Sequence, residues 1–294
     1  MNPLLKKLLA RGPVIADGAT GTQLQARGLA PGECPDSWNL SHATAVEEVA
    51  RAHVEAGSEI ILTNTFRANR QALAGHGLAE KTEEINRRGV EIARRVAAGQ
   101  AAVFGSMGPS GKMLMTGEVG EEELSSAFEE QAHLLADAGV EGFALETLSD
   151  LVEAKLALAA ARRTGLPVVV SMVFDSGKEK DRTMMGVTPE KAAEELTAAG
   201  ADVIGSNCGR TIQNFIPLCR RLHSATDRPI WIKPNAGLPG WVEGRLVYPT
   251  TPEQFAGAIP ALVEAGASFV GGCCGTTPEF IRAIKDQLRT LRGS

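Results

Sequence analysis

A closed (β/α)8 barrel is the fold this sequence predicts. Short β-branched runs alternate with longer helical patterns from end to end, and eight of each can be counted. The strand candidates are also nearly continuous apolar runs, as expected of strands covered on both faces. An open doubly wound sheet is the rival, but its usual strand count is lower and no G-x-G-x-x-G follows the first strand. One barrel domain spanning residues 1–294 is therefore expected.

The strand candidates are VIAD (14–17), EIILT (59–63), AAVFGS (101–106), GFALE (142–146), PVVVSM (167–172), ADVIGS (201–206), PIWIK (229–233) and SFVGG (268–272). The helices between them carry start and stop signals. Thr44 with Glu47 predicts a capping box before VEEVARAHVEAG, and Thr251-Pro252 and Thr277-Pro278 place proline in a first helical turn. Gly57, Gly139, Gly165, Gly200 and Gly266 fall just past helical stretches, where a left-handed cap belongs.

Composition narrows the function. With 44% apolar residues the chain can bury a sizeable core, and a net charge of -5 with interspersed Lys and Arg leaves no nucleic-acid footprint. No run of eighteen apolar residues occurs, so no membrane association is expected, and the short apolar stretch at the N-terminus is no signal segment. A cytoplasmic protein is the expectation. Five cysteines, an odd count without framework spacing, point to metal binding or catalysis rather than a disulfide scaffold.

Two glycine-rich stretches need reading. GSMGPSGKM (105–113) has phosphate-loop spacing one residue too long, with Met113 where Ser or Thr must stand, and is rejected. DGATGTQ (17–23) reads as a turn that brings backbone N–H groups to an anion.

Polar residues unusual for a core gather at the strand C-termini: Asp17, Thr63, Asn64, Ser106, Glu146, Ser171, Asn207, Cys208, Lys233, Asn235, Cys273 and Cys274. In a closed barrel these ends share one mouth, where this architecture places its active site. Cys208 from the sixth strand and the adjacent Cys273 and Cys274 from the eighth can converge there. Three protein ligands with an open fourth position is the pattern of catalytic zinc. Neighbouring residues on a strand face opposite ways, so Gly271, Gly272 and Gly275 are expected to bend the backbone until both sulfurs face one ion. Cys34, in a loop, and Cys219, in a helix, read as buried thiols. None of the five histidines lies at a strand end, which disfavours a four-ligand structural zinc.

Three thiolates leave the zinc complex with negative charge, suited to a soft fourth ligand such as a substrate thiol, which metal coordination keeps ionised. Asp17 and Glu146 can accept from an ammonium, while the Gly18 and Ala19 N–H groups and the Thr63 hydroxyl can hold a carboxylate. Together these point to an amino-acid thiol. Lys233 and Asn235 are expected to shape the mouth. Met107, Met113 and Met115 follow the third strand, where gap-filling in the core is the commoner use.

The motifs ADGATGTQLQARG, LTNTF, GSMGPSGK, LETLSD, SNCG, KPNAGLP and GGCCGTTPE, in this order, resemble the homocysteine S-methyltransferase family. The resemblance covers nearly the whole chain and is closest to the branch forming the homocysteine-binding barrel of cobalamin-dependent methionine synthase. It implies zinc on Cys208, Cys273 and Cys274, the homocysteine amino group on Asp17 and Glu146, and its carboxylate on Gly18 and Thr63. Methyl transfer to the sulfur would give methionine. The donor this implies is a methyl-corrinoid (methylcobalamin) carried by a partner protein, or a methyltetrahydrofolate-linked system; S-methylmethionine or S-adenosylmethionine is the alternative. A non-catalytic homocysteine-binding module is a reading of another class. Betaine is least favoured, since Arg67 and Thr147 stand where aromatic residues are expected, although Trp38 is present. A monomer is expected, because the long C-terminal extension of some relatives is missing.

Overall fold

The computed structural model describes residues 1–242 and 245–293. Eight parallel strands form its main sheet: β1 (Val14–Ile15), β2 (Ile60–Leu62), β3 (Ala102–Met107), β4 (Gly142–Leu148), β5 (Val168–Met172), β6 (Val203–Thr211), β7 (Ile230–Asn235) and β8 (Ala267–Val270). Each pairs with its sequence neighbour, β8 returns to β1, and a parallel bridge from Ala16 to Ile60 joins β1 to β2. This is the predicted (β/α)8 barrel. β1 and β8 end earlier than expected, at Ile15 and Val270, although Gly271 N–H still donates to the Ile232 carbonyl and Gly272 N–H to the Asp17 carbonyl. β4, β6 and β7 run further, carrying Glu146, Cys208 and Asn235 within their length.

Side-chain alternation sorts the strands into two cores. Val14, Ile60, Phe104, Ala144, Val169, Val203, Trp231 and Phe269 point into the barrel and pack with Leu5. Leu5 lies on the helix Pro3–Leu9, which stoppers the barrel's lower end, and Leu4, Leu8 and Leu9 join that contact. Two residues further along the same strands the interior turns polar: Ser106, Glu146, Ser171 and Lys233 are all buried. The larger apolar layer, including Ile61, Leu145, Val170, Ile204 and Ile232, lies between the strands and the helical ring. Gly205 marks the tightest interior approach, where an added Cβ would lie 2.3 Å from the Trp231 carbonyl oxygen.

Helix ends mostly follow the expected signals. The five glycines named above all have positive φ, and Thr251 forms a complete capping box with Gln254. The Thr44–Glu47 box does not form: the helix Ala43–Ala56 starts two residues earlier than that box requires, with His42 at its N-cap, and Glu47 instead pairs with Arg51 and Arg95. Met107 is buried at the end of β3, whereas Met113 and Met115 are exposed. A short antiparallel hairpin, Gly240–Val242 with Arg245–Val247, follows β7 at the mouth. No helix among the described residues is long and apolar enough to cross a membrane.

Candidate active site

The strand ends bring three sulfurs together. The Sγ atoms of Cys208, Cys273 and Cys274 lie within 4.8 Å of one another, the only such metal-ligand group of His, Cys, Asp and Glu among the described residues. Cys208 and Cys274 are 3.8 Å apart, sulfur to sulfur. Cys208 reaches this position from a bulge: the β6–β7 register shifts between Asn207 and Thr211, and Cys208 and Gly209 adopt successive left-handed conformations at φ 64° and 74°. Such a φ is uncommon outside glycine, and here it aims the sulfur across the mouth.

On the opposite side β8 stops at Val270 and the chain turns inward. Gly272 N–H donates to the Asp17 carbonyl, Cys273 N–H to the Pro234 carbonyl, and Ala236 N–H to the Cys274 carbonyl. Gly275 then turns at φ 82° beneath the Tyr248 ring. Adjacent cysteines thus face one point because the strand has ended, as the surrounding glycines suggested.

The thiols titrate as a unit. Hydrogen bonds from Cys273 and Cys274 hold Cys208 down to about 3, and the same bonds to Cys208, with burial, push Cys273 up to about 12 and Cys274 further up. One ionised sulfur among three is what the protein alone sustains; ionising all three calls for a cation. Tyr248, half-buried beside them, is raised to about 12 by burial and by their charge. Cys34 and Cys219 are buried away from the site, their thiols raised to about 11 and about 12 mainly by burial.

Asp17 and Lys233 form an ion pair of 2.6 Å, both side chains buried, and the other Asp17 oxygen accepts from Leu62 N–H at 2.8 Å. Burial acts to lower Lys233, but the Asp17 and Glu146 carboxylates outweigh it and hold the ammonium above its ordinary value. Glu146 accepts from the Ser106 hydroxyl at 2.6 Å, and burial pushes its carboxyl up to about 7. Asn207 ties the mouth together: its Oδ1 accepts from Ser171 and from Thr147 N–H, while its Nδ2 donates to the Thr147 hydroxyl and lies 3.8 Å from Cys273 Sγ.

Gly18 N–H makes no hydrogen bond among the described residues, whereas Ala19 N–H donates to the Thr276 hydroxyl, so only the first is open to an anion. The Thr63 hydroxyl accepts from Ser106 N–H and is 2.6 Å from the Thr65 hydroxyl, which in turn donates to the Ser106 carbonyl. With that arrangement Thr63 gives its proton to Thr65; a shift of the Thr65 proton towards Thr63 releases it for a ligand.

Asp17, Gly18, Thr63, Glu146, Cys208, Lys233, Cys273 and Cys274 all line one cavity of about 500 Å³, which continues outward past Glu33, Asp36, Phe66 and Arg67. Trp38 is not part of it. The indole is buried, stacks on His42 at 4.2 Å and donates to Glu33, so it offers no aromatic wall. Thr276 and His53, both buried behind Gly18 and Ala19, were not anticipated. Thr276 sits in the cysteine motif itself, but a threonine before a helix reads first as a cap. His53 reads as one more residue on an inward helix face.

Known proteins bear on this site. The chain is 32% identical to a methionine synthase of Mycobacterium leprae over 95% of its length, and 31% identical to that of Mycobacterium tuberculosis over 98%. It spans about a quarter of those proteins, 24% and 26%. Betaine–homocysteine S-methyltransferase 1 of Danio rerio is 28% identical over 99% of this chain and 76% of its own. Among solved structures, the metallated homocysteine methyltransferase MmuM of Escherichia coli superposes with a TM-score of 0.81 at 25% identity, covering 97% of this chain and all of that one. The family model described as homocysteine S-methyltransferase matches residues 14–288. By that match, over nearly its whole length, the chain belongs to the homocysteine S-methyltransferase family.

Proposed function

We propose that the barrel holds one zinc ion on Cys208, Cys273 and Cys274, binds L-homocysteine beside it, and transfers a methyl group to the homocysteine sulfur to give methionine. The observation that carries this reading is the convergence of three sulfurs in the same cavity as an amino-acid grip.

Zinc fits this donor set on three counts. Tetrahedral Zn–S bonds of about 2.3 Å require sulfurs about 3.8 Å apart, which matches the Cys208–Cys274 separation of 3.8 Å. A dication also favours the ionised form of Cys273 and Cys274, which their hydrogen bonds to Cys208, burial and nearby charge hold protonated. Asn235, whose hydrogen bond helps hold Cys208 down, leaves its Oδ1 buried without a partner, as a residue beside an ion would. When bound, zinc supplies a soft Lewis-acid position that keeps a thiol ionised at neutral pH.

The chain's own residues do the rest. Asp17, held in place by Lys233 and Leu62 N–H, and Glu146, held by Ser106, accept from the substrate ammonium. Gly18 N–H and the Thr63 hydroxyl hold its carboxylate. These contacts fix the sulfur relative to the open side of the cavity, so a donor arriving there meets an oriented nucleophile. The thiol proton leaves on binding; in the transfer the methyl–donor bond breaks as the new sulfur–carbon bond forms.

The donor we favour is a methyl-corrinoid protein or a methyltetrahydrofolate-linked system, in line with the likeness to methionine synthases. A small sulfonium donor such as S-methylmethionine or S-adenosylmethionine is the second reading. Glu33 and Asp36 at the outer cavity favour it, because carboxylates attract a cation. Betaine has less support from the cavity, where Trp38 is withdrawn, Arg67 and Thr147 stand where aromatic residues are expected, and Phe66 is the one aromatic residue of the lining among the described residues. The test is a donor screen with zinc-loaded protein and homocysteine, following methionine. Turnover with methylcobalamin, free or protein-bound, supports the first donor and turnover with S-methylmethionine the second. Homocysteine binding with proton release but no methionine from any donor points to a binding module instead.

A further inference from the structure

We infer that the Thr276 hydroxyl couples the two halves of the site, the turn that receives the amino-acid end and the loop that carries two of the sulfurs, and so sets the preference for an amino-acid thiol over a simple thiol. The inference rests on the functional reading above and assigns Thr276 as a positioning residue within it.

Thr276 is fully buried. Its Oγ1 accepts from Ala19 N–H at 3.1 Å and donates to the Cys273 carbonyl at 2.7 Å. A hydroxyl has one proton, and the Ala19 amide brings its own, so the Thr276 proton is committed to Cys273. One side chain therefore bridges the backbone of Ala19, 257 residues before it in sequence, to that of Cys273, three residues before it. Both sides pack close against it: a Cβ at Gly272 would lie 2.4 Å from Thr276 Oγ1, and one at Gly18 would lie 3.0 Å away.

The far side of the same turn is held by His53. Its Nε2 faces the Ala19 carbonyl at 3.4 Å, and its Cε1 would be 2.6 Å from a Cβ at Gly18. The imidazole is buried and its Nδ1 has no partner, so the Ala19 carbonyl is the contact available to the ring. Thr276 and His53 thus hold the N–H and C=O of Ala19, beside Gly18, which lines the cavity and whose N–H is unengaged among the described residues. Because Thr276 also grips Cys273, its hydroxyl acts with the Gly272 N–H to Asp17 carbonyl bond and the Gly275 N–H to Thr22 hydroxyl bond in setting the distance between the carboxylate site and the sulfur site. A ligand that uses both sites senses this distance; one that uses the sulfur site alone does not.

Calorimetric titration of zinc-loaded protein with L-homocysteine and with 2-mercaptoethanol tests this. Thr276→Val keeps the side-chain shape and removes both hydrogen bonds; it is expected to weaken L-homocysteine about tenfold while leaving 2-mercaptoethanol binding and zinc content unchanged. Thr276→Ser is expected to restore wild-type selectivity. Should Thr276→Val not fold, His53→Phe loosens the same turn from its other face and is expected to show the same selective loss. Equal weakening of both thiols, or no weakening of either, overturns the inference while leaving the functional reading intact. Wild-type protein that binds neither thiol overturns the functional reading, and the inference with it.

Discussion

Lys233 Nζ lies 2.6 Å from Asp17 Oδ1 with both side chains shut off from solvent, so a buried ion pair lining the cavity joins β7 to the turn after β1. Removing one partner strands the other charge. Lys233→Met is expected to lower the free energy of unfolding by about 3–5 kcal/mol. The double variant Asp17→Asn/Lys233→Met, which also removes the charge left on Asp17, should recover much of that loss. Denaturant unfolding of the three proteins checks both statements; a single variant as stable as wild type contradicts them.

Glu146 sets a pH dependence of stability. Its carboxyl sits at about 7 in the folded protein against an ordinary 4.5, chiefly through burial. The folded state therefore binds that proton more tightly than the unfolded state. Its contribution is full below pH 4.5 and is lost as pH rises through about 7, by about 3 kcal/mol in all. In metal-free protein, Glu146→Gln is expected to flatten this part of the stability–pH curve. An unchanged curve would show that other groups produce it.

The cysteines of the mouth are expected to differ from the buried Cys219 in zinc content. Cys208→Ala, Cys273→Ala and Cys274→Ala are each expected to reduce bound zinc from one per chain to a small fraction, with methylation lost in parallel. Cys219→Ala should keep full zinc and cost on the order of 1 kcal/mol of stability, because the helical layer then buries less apolar surface. Elemental analysis of purified variants decides it.

Gly205→Ala tests the barrel's polar–apolar boundary. The new methyl would lie 2.3 Å from the Trp231 carbonyl oxygen and 2.7 Å from its Cβ, inside a closed ring of strands that cannot open locally. A loss of about 3 kcal/mol or more is expected. Gly21→Ala, with nothing within 4 Å of the added carbon, is the control and should change stability little. Thermal unfolding of the pair gives the comparison.

The barrel was legible in the sequence because a strand buried on both faces must be apolar throughout, so the eight runs stood out and their polar ends marked the mouth. The cysteine trio was legible for the same reason, since strand ends in a closed barrel share one rim whatever their order in the chain. Element ends were less so. Whether Asp17 belongs to β1 or to the turn after it depends on its bonds to Lys233 and Leu62, which lie far off in sequence. The Thr44–Glu47 capping box failed because Glu47 found arginine partners, one of them Arg95 on another helix. Trp38 looked available as a donor wall, and only packing against His42 and Glu33 reveals that it faces inward. Thr276 and His53 were missed because their part in the site consists of contacts to backbone groups, which no residue type announces.

Three cysteine sulfurs are expected to hold zinc and leave one position for the substrate sulfur. Zinc-edge X-ray absorption of loaded protein, before and after L-homocysteine, measures this directly. Three sulfur neighbours at about 2.3 Å are predicted to become four on addition of the amino acid. A sulfur count that stays at three, or a protein that takes up no zinc, would contradict it.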